Sequence, residues 1–462
     1  MRAVVSNACA LHGTPPDLGS EIREQLSVTN PRWLDAKKYG RRKRVFLPRF
    51  LRFYQEDQDG ALQVPRGFLS QVQQLAEEHG EPVDVQDNTR LLSEVDFDFR
   101  GSLRPYQIEA VEDVLSRPMG TLSAPTGSGK TLVALAAIAE RRQPALIVVH
   151  TRELAEQWKD RAARFLDVSK PEIGFIGADR KDVGERLTVA TVQSLYKCAH
   201  EVSPYIGFLL VDEAHRAPSR TFSEAVAAFD ARFLLGLSAT PWRRDRLSKL
   251  IYWHLGDLAH KVESEALRES GDLLRPEVVW RQTAFQTDLN PREQYSSMLS
   301  ELTQDQARNE LIAGDVAEVV SKDAGVVLVL SDRKAHVEAL ASLLEARGIR
   351  TATLTGDLSQ KARTEALEAV TTGRVRVLVG TQQLVSEGLD FPALSALFLA
   401  TPIRFDGRLI QSMGRVLRPA PGKERAVVFD YEDVNVGVLR NAARARARVY
   451  QSTQAVVRAA AS

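Results

Sequence analysis

The sequence has 462 residues, a length that predicts roughly two to four domains, and its content of 44% hydrophobic and 26% charged residues is typical of a soluble globular protein. It contains no apolar run of the roughly eighteen residues that a membrane span needs, and no N-terminal stretch of signal-peptide length, so we expect a cytoplasmic protein with no membrane partner, nucleoid-associated if prokaryotic. The two distant cysteines, Cys9 and Cys198, argue against a disulfide framework, a zinc site or an iron–sulfur cluster.

The first 100 residues carry an uneven charge that the net value of +1 conceals. From Met1 to Arg52, eleven Lys/Arg face four Asp/Glu, a balance of +7; from Phe53 to Arg100, three face eleven, a balance of −8. Aromatic residues are interleaved with the basic run, and this combination is typical of a nucleic-acid surface, although a solvated charged face has a similar composition. The central cations are Arg41, Arg42, Lys43 and Arg44. We therefore predict an N-terminal α+β module, residues 1–100, with a DNA-binding or accessory role.

From Leu103 onward, short apolar runs alternate with helical periodicity, which is typical of parallel βαβ construction. The runs of the first half are 145–149, 187–190, 208–211 and 233–237, and those of the second half are 325–330, 351–354, 375–379 and 396–400. The alternation fades in between. The pattern predicts an α/β fold with two tandem parallel-sheet domains, 101–262 and 291–450, a connecting segment 263–290 and a tail 451–462.

A glycine-rich loop lies between the apolar run before it and an Ala/Leu-rich helix, the context that a phosphate-binding loop requires. Its glycines let backbone N–H groups turn toward phosphate oxygens. Lys130 would reach the β- and γ-phosphates, and the Thr131 hydroxyl would bind Mg²⁺. The predicted nucleotide-binding residues of the loop are Pro125, Thr126, Gly127, Ser128, Gly129, Lys130 and Thr131.

A second motif, Asp212-Glu213-Ala214-His215, follows an apolar strand about eighty residues later. Two carboxylates at a strand end suit metal binding and activation of water. Asp212 would hold Mg²⁺, and Glu213 would orient or deprotonate the attacking water.

With these two motifs the chain resembles a superfamily 2 helicase or translocase, and further motifs follow in the family's order between Leu103 and Tyr431. The resemblance implies two RecA-like domains that use ATP and Mg²⁺. Arg104 and Gln107 belong to a segment similar to the family's adenine-reading motif, where an amide can donate to and accept from the base. Ser238 and Thr240 resemble the element that couples the ATP state to the nucleic-acid grip, and their hydroxyls would meet His215.

The second half contains a segment that matches the family's QxxGRxxR helix, with Gln411, Arg415 and Arg418. The two arginines are three positions apart, so both guanidinium groups would project from one helix face toward the γ-phosphate. Gly388 and Asp390 lie in a segment that resembles the motif joining nucleotide and nucleic acid. Such arginines act only when the two domains close, which ties hydrolysis to domain movement.

Contacts with one strand's backbone are implied, by the same resemblance, for loops at strand ends. Hydroxyls, loop amides and arginine suit phosphates and read no sequence. Each of these residues also suits an ordinary helix cap or turn. The candidates are Thr151, Arg152, Thr191, Gln193, Ser194, Ser331, Arg333, Thr355, Gly356 and Thr381.

Among subfamilies, the chain is most similar to XPB-like repair helicases and the related UvsW-like motors. It departs from them at Arg243-Arg244-Asp245, where those proteins carry Arg-Glu-Asp. The resemblance implies an ATP-dependent 3′–5′ DNA helicase or translocase that unwinds or remodels repair or recombination intermediates, with single-stranded, forked or branched DNA as partner. An RNA helicase, the motor of a restriction or defence complex with a nuclease or repair partner, and an ATP-switched DNA clamp remain as alternatives.

Overall fold

A computed structural model describes residues 1–38, 47–214, 220–239, 248–291, 293–323, 325–381, 393–403, 406–423 and 425–459. Contacts divide the chain into two compact units. Unit 1 contains Met1–Ala124 and Gly129–Val262, and unit 2 contains Pro125–Ser128 and Glu263–Ser462. Within the described residues, no helix is both long enough and apolar enough to cross a membrane.

The N-terminal part of unit 1 has an α+β architecture. Its described elements are β1 (Arg2–Val5), β2 (Ala8–His12), α1 (Pro16–Gln25), β3 (Ser27–Thr29), α2 (Pro31–Lys38), β4 (Phe50–Arg52), β5 (Gln55–Glu56), β6 (Leu62–Pro65), α3 (Leu69–Glu78) and β7 (Asp84–Asp87). The main sheet has the order β5-β6-β2-β1-β7, in which only the β1–β7 pair is parallel, and β3 pairs with β4 separately. Alternate residues of β1 and β2 are buried under α1 and α3, which forms the core of this part.

The rest of unit 1 is a mainly parallel sheet with helices. Its elements are α4 (Pro105–Leu115), β8 (Met119–Ser123), α5 (Lys130–Arg141), β9 (Ala145–Val149), α6 (Arg152–Phe165), β10 (Gly174–Gly177), β11 (Arg180–Lys181), β12 (Leu187–Thr191), α7 (Val192–Leu195), α8 (Ala199–Val202), β13 (Phe208–Val211), α9 (Arg220–Ala227), β14 (Phe233–Ser238), α10 (Lys249–Leu255) and β15 (Leu258–Lys261). The strand order is β11-β10-β12-β9-β13-β14-β8-β15, and only the β10–β11 pair is antiparallel. The four predicted apolar runs are strands β9, β12, β13 and β14, as expected for strands covered on both faces.

Unit 2 contains a second parallel sheet. Its elements are α11 (Ser264–Glu269), β16 (Pro276–Thr283), α12 (Tyr295–Gln304), α13 (Gln306–Lys322), β17 (Val326–Ser331), α14 (Lys334–Ala346), β18 (Thr351–Leu354), α15 (Gln360–Thr371), β19 (Val377–Thr381), β20 (Leu394–Leu399), α16 (Asp406–Val416), β21 (Ala426–Asp433), α17 (Gly437–Ser452) and β22 (Val456–Ala459). The order is β18-β19-β17-β20-β21-β16-β22, with every described pair parallel.

This second sheet is wider than the sequence predicted. The expected connecting segment contributes β16, which pairs with β21 over eight positions, and the expected tail contributes β22, which pairs with β16. Both stretches are therefore part of the second α/β layer. Its interior holds two ion pairs that are almost fully buried, between Arg308 and Asp433 at 2.8 Å and between Arg446 and Asp430 at 2.7 Å.

Candidate nucleotide-binding site

The glycine-rich loop has the strand–loop–helix context that was predicted for it. Strand β8 ends at Ser123 and α5 begins at Lys130. Gly127 and Gly129 have φ values of +98° and +78°, in the region that glycine occupies without strain. A Cβ on Gly129 would also collide with the amide nitrogen of Gln107. The loop backbone therefore depends on glycine at both positions.

Two polar side chains donate hydrogen bonds to backbone carbonyls at the start of the same loop. Lys130 Nζ donates to the Ala124 carbonyl at 2.8 Å, and Ser128 Oγ donates to the Pro125 carbonyl at 2.8 Å. Gln107, at the start of α4, is 5% exposed, and its Oε1 accepts from the Arg104 N–H at 3.0 Å. The structure thus brings Gln107 against the loop, while its role in reading adenine stays a prediction.

The other predicted site residues of unit 1 lie at one edge of the sheet, where the carboxyl ends of the parallel strands meet. Strands β13, β14 and β8 are neighbours in the sheet. Asp212 and Glu213 follow β13, Ser238 is the last residue of β14, and the glycine-rich loop follows β8. Ser238 is fully buried, and its carbonyl accepts from the Ala124 N–H at 3.0 Å. His215, Thr240 and Arg243-Arg244-Asp245 lie outside the described residues.

The acidic pair is held in a constrained arrangement. Glu213 has a φ of +52°, which is uncommon for a residue with a side chain, and its N–H donates to Asp212 Oδ1 at 2.8 Å. Trp158 Nε1 donates to Asp212 Oδ2 at 2.8 Å. Burial and then the adjacent Glu213 carboxylate raise the pKa of Asp212, while the Trp158 hydrogen bond and the Lys130 charge act in the opposite direction. Added positive charge at Asp212 would therefore be stabilising.

The donor set fits Mg²⁺. Asp212 and Thr131 offer a carboxylate and a hydroxyl, the hard oxygen ligands that this ion prefers. In the part of the chain that the structure describes, no group of three or more His, Cys, Asp or Glu residues is arranged to hold a metal ion. Such a site would be completed by phosphate and water, as is usual for Mg²⁺.

Helix α6 contributes two side chains that the sequence motifs did not identify. Besides Trp158, Arg161 reaches the site, and its Nη1 donates to Thr131 Oγ1 at 2.7 Å. Trp158 is 3% exposed. The two residues lie three positions apart on one helix face. The apolar periodicity of α6 predicts that Trp158 is buried, but it does not predict a role at this site for either residue.

In unit 2, Arg415 is half-buried on α16. The prediction that Arg418 shares this helix differs from the structure, because α16 ends at Val416 and Arg418 follows it. The side chain of Gln411 and the residues Gly388 and Asp390 lie outside the described part.

The predicted backbone contacts also follow strand ends. In unit 1, Thr151 caps α6 by accepting from the Leu154 N–H at 3.3 Å, Arg152 begins that helix, and Thr191 ends β12, followed by Gln193 and Ser194 on α7. In unit 2, the candidates lie at or just after the ends of the three neighbouring strands β18-β19-β17. These are Thr355 and Gly356, Thr381, and Ser331 with Arg333.

Ser331 differs from the expectation. It is fully buried, its Oγ lies 3.0 Å from His336 Nδ1, and it accepts from the Arg333 N–H at 3.1 Å. The Ser331 hydroxyl therefore makes hydrogen bonds inside the protein and is not exposed to a nucleic-acid strand. The basic residues Arg41, Arg42, Lys43 and Arg44 lie outside the described residues.

Two family models match the chain in the same order as the two sheets. Residues 100–243 match the model described as type III restriction enzyme, res subunit, and residues 310–420 match the helicase conserved C-terminal domain.

Individual relatives extend these matches. A putative ATP-dependent RNA helicase of Acanthamoeba polyphaga mimivirus is 27% identical over 77% of this chain and 69% of its own length. The DNA 3′-5′ helicase XPB of Kineococcus radiotolerans is 28% identical over 69% of this chain, which spans only 57% of that relative. Among solved structures, S. cerevisiae Dbp5 bound to RNA and ADP BeF3 is 15% identical, with a TM-score of 0.53, over 76% of this chain and 87% of that one, a likeness of fold.

The two parallel α/β layers, the phosphate-binding loop and these matches together define an ATP-dependent helicase of superfamily 2, with two RecA-like domains. Within that superfamily, the chain is similar to the XPB-like helicases.

Proposed function

We propose that this chain is an ATP-dependent DNA helicase or translocase that moves 3′ to 5′ and unwinds or remodels branched repair and recombination intermediates. The observation that carries the proposal is the arrangement of three neighbouring parallel strands of unit 1: the Asp212–Glu213 pair follows β13, Ser238 is the last residue of β14, and the glycine-rich loop follows β8. The DNA polarity is taken from the name of the XPB relative.

In this proposal the residues of unit 1 bind ATP and prepare the attacking water. Lys130 leaves the Ala124 carbonyl for the β- and γ-phosphates, and Gln107 and Arg104 contact the adenine. Thr131 and Asp212 hold Mg²⁺, which neutralises charge on the phosphates when it is bound. Glu213 accepts a proton from the attacking water.

Residues of unit 2 are assigned to the closed state of the enzyme. Arg415, Arg418 and Gln411 stabilise the negative charge of the transferred phosphoryl group, and Gly388 and Asp390 contact the nucleotide. The strand-end loops of both units hold one DNA strand by its phosphates, with residues 1–100 as an accessory DNA-binding module. The Ser331 hydroxyl does not contact the DNA strand in this proposal, because Ser331 is buried.

An RNA helicase is the second candidate, and one observation favours it. The mimivirus relative is named as a putative RNA helicase, and it aligns over more of this chain than the XPB relative does. Contacts restricted to the phosphate backbone do not distinguish RNA from DNA unless they include the 2′-hydroxyl.

Nucleic-acid stimulation of ATP hydrolysis tests both candidates. Steady-state hydrolysis is measured without nucleic acid and with single-stranded DNA, forked DNA, duplex and RNA. We expect the largest stimulation with single-stranded or forked DNA, and its loss by a factor of about 100 or more in Glu213→Gln, which keeps the side-chain shape but removes the base. Stimulation by RNA alone would favour the second candidate.

A further inference from the structure

Helix α6 touches both residues proposed to hold Mg²⁺. Trp158 Nε1 donates to Asp212 Oδ2 at 2.8 Å, and Arg161 Nη1 donates to Thr131 Oγ1 at 2.7 Å. Because the two side chains lie three positions apart, a single face of α6 makes both contacts. The two contacts differ in kind, since one donor is neutral and the other is a cation.

The Trp158 contact fixes the orientation of the Asp212 carboxylate. One oxygen accepts from the Trp158 indole and the other accepts from the Glu213 N–H at 2.8 Å. Each carboxylate oxygen has about two acceptor positions, so both keep one for another partner. A buried indole has little freedom to move, and Trp158 is 3% exposed. The carboxylate is therefore held with its remaining lone pairs in a fixed direction.

The Arg161 contact occupies the Thr131 hydroxyl with positive charge. A hydroxyl oxygen accepts through its lone pairs, which are also the groups that would bind a cation. A guanidinium and a divalent cation at the same oxygen repel each other, and the repulsion is strong where the site is partly shielded from water. Arg161 is half-buried. It must therefore leave Thr131 before this hydroxyl can serve as a metal ligand.

We infer that Trp158 and Arg161 are positioning residues with opposite effects on Mg²⁺: Trp158 holds Asp212 in the orientation for binding, and Arg161 occupies Thr131 until Mg²⁺ replaces it. The inference rests on the proposed function, because it takes Thr131 and Asp212 as the metal ligands. Arg161 acts as an internal cation that balances the acidic site in the absence of Mg²⁺.

The test measures how much Mg²⁺ strengthens nucleotide binding. The Kd of a fluorescent, non-hydrolysable ATP analogue, mant-AMP-PNP, is measured in excess EDTA and in saturating Mg²⁺, and the ratio of the two values is compared between variants. For Trp158→Phe we expect the ratio to fall about tenfold, the usual effect of removing a hydrogen bond behind a metal ligand. For Arg161→Met we expect it to rise about fivefold, because the competing charge is gone.

Two controls separate these effects from loss of structure. Arg161→Lys keeps a cation near Thr131 and is expected to stay close to wild type. Arg164 lies one turn further along α6 with its side chain exposed, so Arg164→Met removes a charge of the same kind away from the site and leaves the ratio unchanged. Melting temperatures are recorded for all variants.

Three results would overturn the inference. They are a fall of the ratio in Arg161→Met, an unchanged ratio in both Trp158→Phe and Arg161→Met, and an equal loss of affinity with and without Mg²⁺ accompanied by a lower melting temperature. Failure of the proposed function is distinguishable from these, because the wild-type protein would then bind the analogue in neither condition.

Discussion

Asp212 shows how one residue combines a cost in stability with a chemical use. Its carboxylate is close to that of Glu213 and partly removed from water, and both conditions disfavour its charge. The Trp158 hydrogen bond, the Lys130 charge and the Glu213 N–H act in the opposite direction on its pKa. A residue in such a position gains most from a bound cation, which is the physical reason for placing Mg²⁺ there.

His336 is a second titratable residue that is buried in the protein. It is 1% exposed, with Nε2 2.8 Å from Asn309 Oδ1 and Nδ1 3.0 Å from Ser331 Oγ. Burial, and then the charge of Arg308, lower its pKa to about 3. The folded protein therefore keeps His336 neutral at pH values where an unfolded chain would bind a proton.

We predict that His336 makes the second unit sensitive to mild acid. The unfolded histidine titrates near pH 6.5, so the stability present above that pH is lost as the pH falls toward 3, by about 2 kcal/mol at pH 5. The difference in melting temperature between pH 7.5 and pH 5 should be smaller in His336→Gln than in wild type. An equal difference in the two proteins would contradict the assignment. His254, whose pKa burial lowers to about 4, is present in both and cancels.

At the scale of elements, α10 joins the N-terminal sheet to the first parallel sheet. Trp253 on α10 is 2% exposed and lies in the N-terminal core, with ring centroids 5.6 Å from Phe53 and 5.9 Å from Phe68. Gly67 lies very close to the C-terminal end of the same helix. A Cβ on Gly67 would lie 2.5–2.7 Å from backbone atoms of Tyr252, Trp253 and Gly256. The position of α10 therefore depends on close backbone packing against Gly67 as well as on the burial of apolar side chains.

Two substitutions test this contact from opposite sides. Trp253→Ala leaves a cavity and should cost about 3–5 kcal/mol, and Gly67→Ala forces rigid backbones apart without removing any apolar side chain. Both should speed hydrogen exchange in β1, β2, β6 and α3 while leaving the β17 and β19 amides unchanged. Trp280→Ala, a half-buried tryptophan of unit 2, is the matched control. Normal protection of the N-terminal strands in both variants would show that α10 does not hold them.

The elements also show what a sequence of this kind reveals. Strands covered on both faces, such as β9 and β13, are continuous apolar runs and were predicted. Strand β16 was not, because only alternate residues at its start are buried and it begins with Pro276. Residues that bind phosphate carry a motif of their own, whereas Trp158 and Arg161 look like any helix residues until β13 and α5 bring Asp212 and Thr131 beside them.

Helix α6 relates two predicted sites within unit 1. It begins at Arg152, among the predicted backbone contacts, and its 14 residues span about 21 Å. The contacts to Asp212 and Thr131 are made from the middle of the helix, by Trp158 and Arg161. A displacement of its first turn by a bound strand would move both contacts together, which gives the proposed coupling between DNA and ATP a physical route.

For the molecule as a whole, the N-terminal sheet is built into unit 1. The stretch after β7 pairs Arg90 with Ala231, and Arg90 forms an ion pair with Asp230 at 2.8 Å. Nearby, Arg66 is 3% exposed and its Nη1 donates to the Ala231 carbonyl at 2.7 Å. Loops that connect independent domains seldom make such contacts. We therefore expect the N-terminal sheet and the first parallel sheet to move as one body during the ATP cycle.

The proposed function requires that ATP hydrolysis drives movement along DNA, and a streptavidin-displacement assay measures that movement. Single-stranded oligonucleotides with biotin at either the 5′ or the 3′ end are loaded with streptavidin, and ATP-dependent release is followed with wild type and with Glu213→Gln. We expect much faster release from the 5′ end by wild type, and no release by the variant. ATP hydrolysis that DNA stimulates, without release from either end, would contradict the proposed function and identify an ATP-switched clamp.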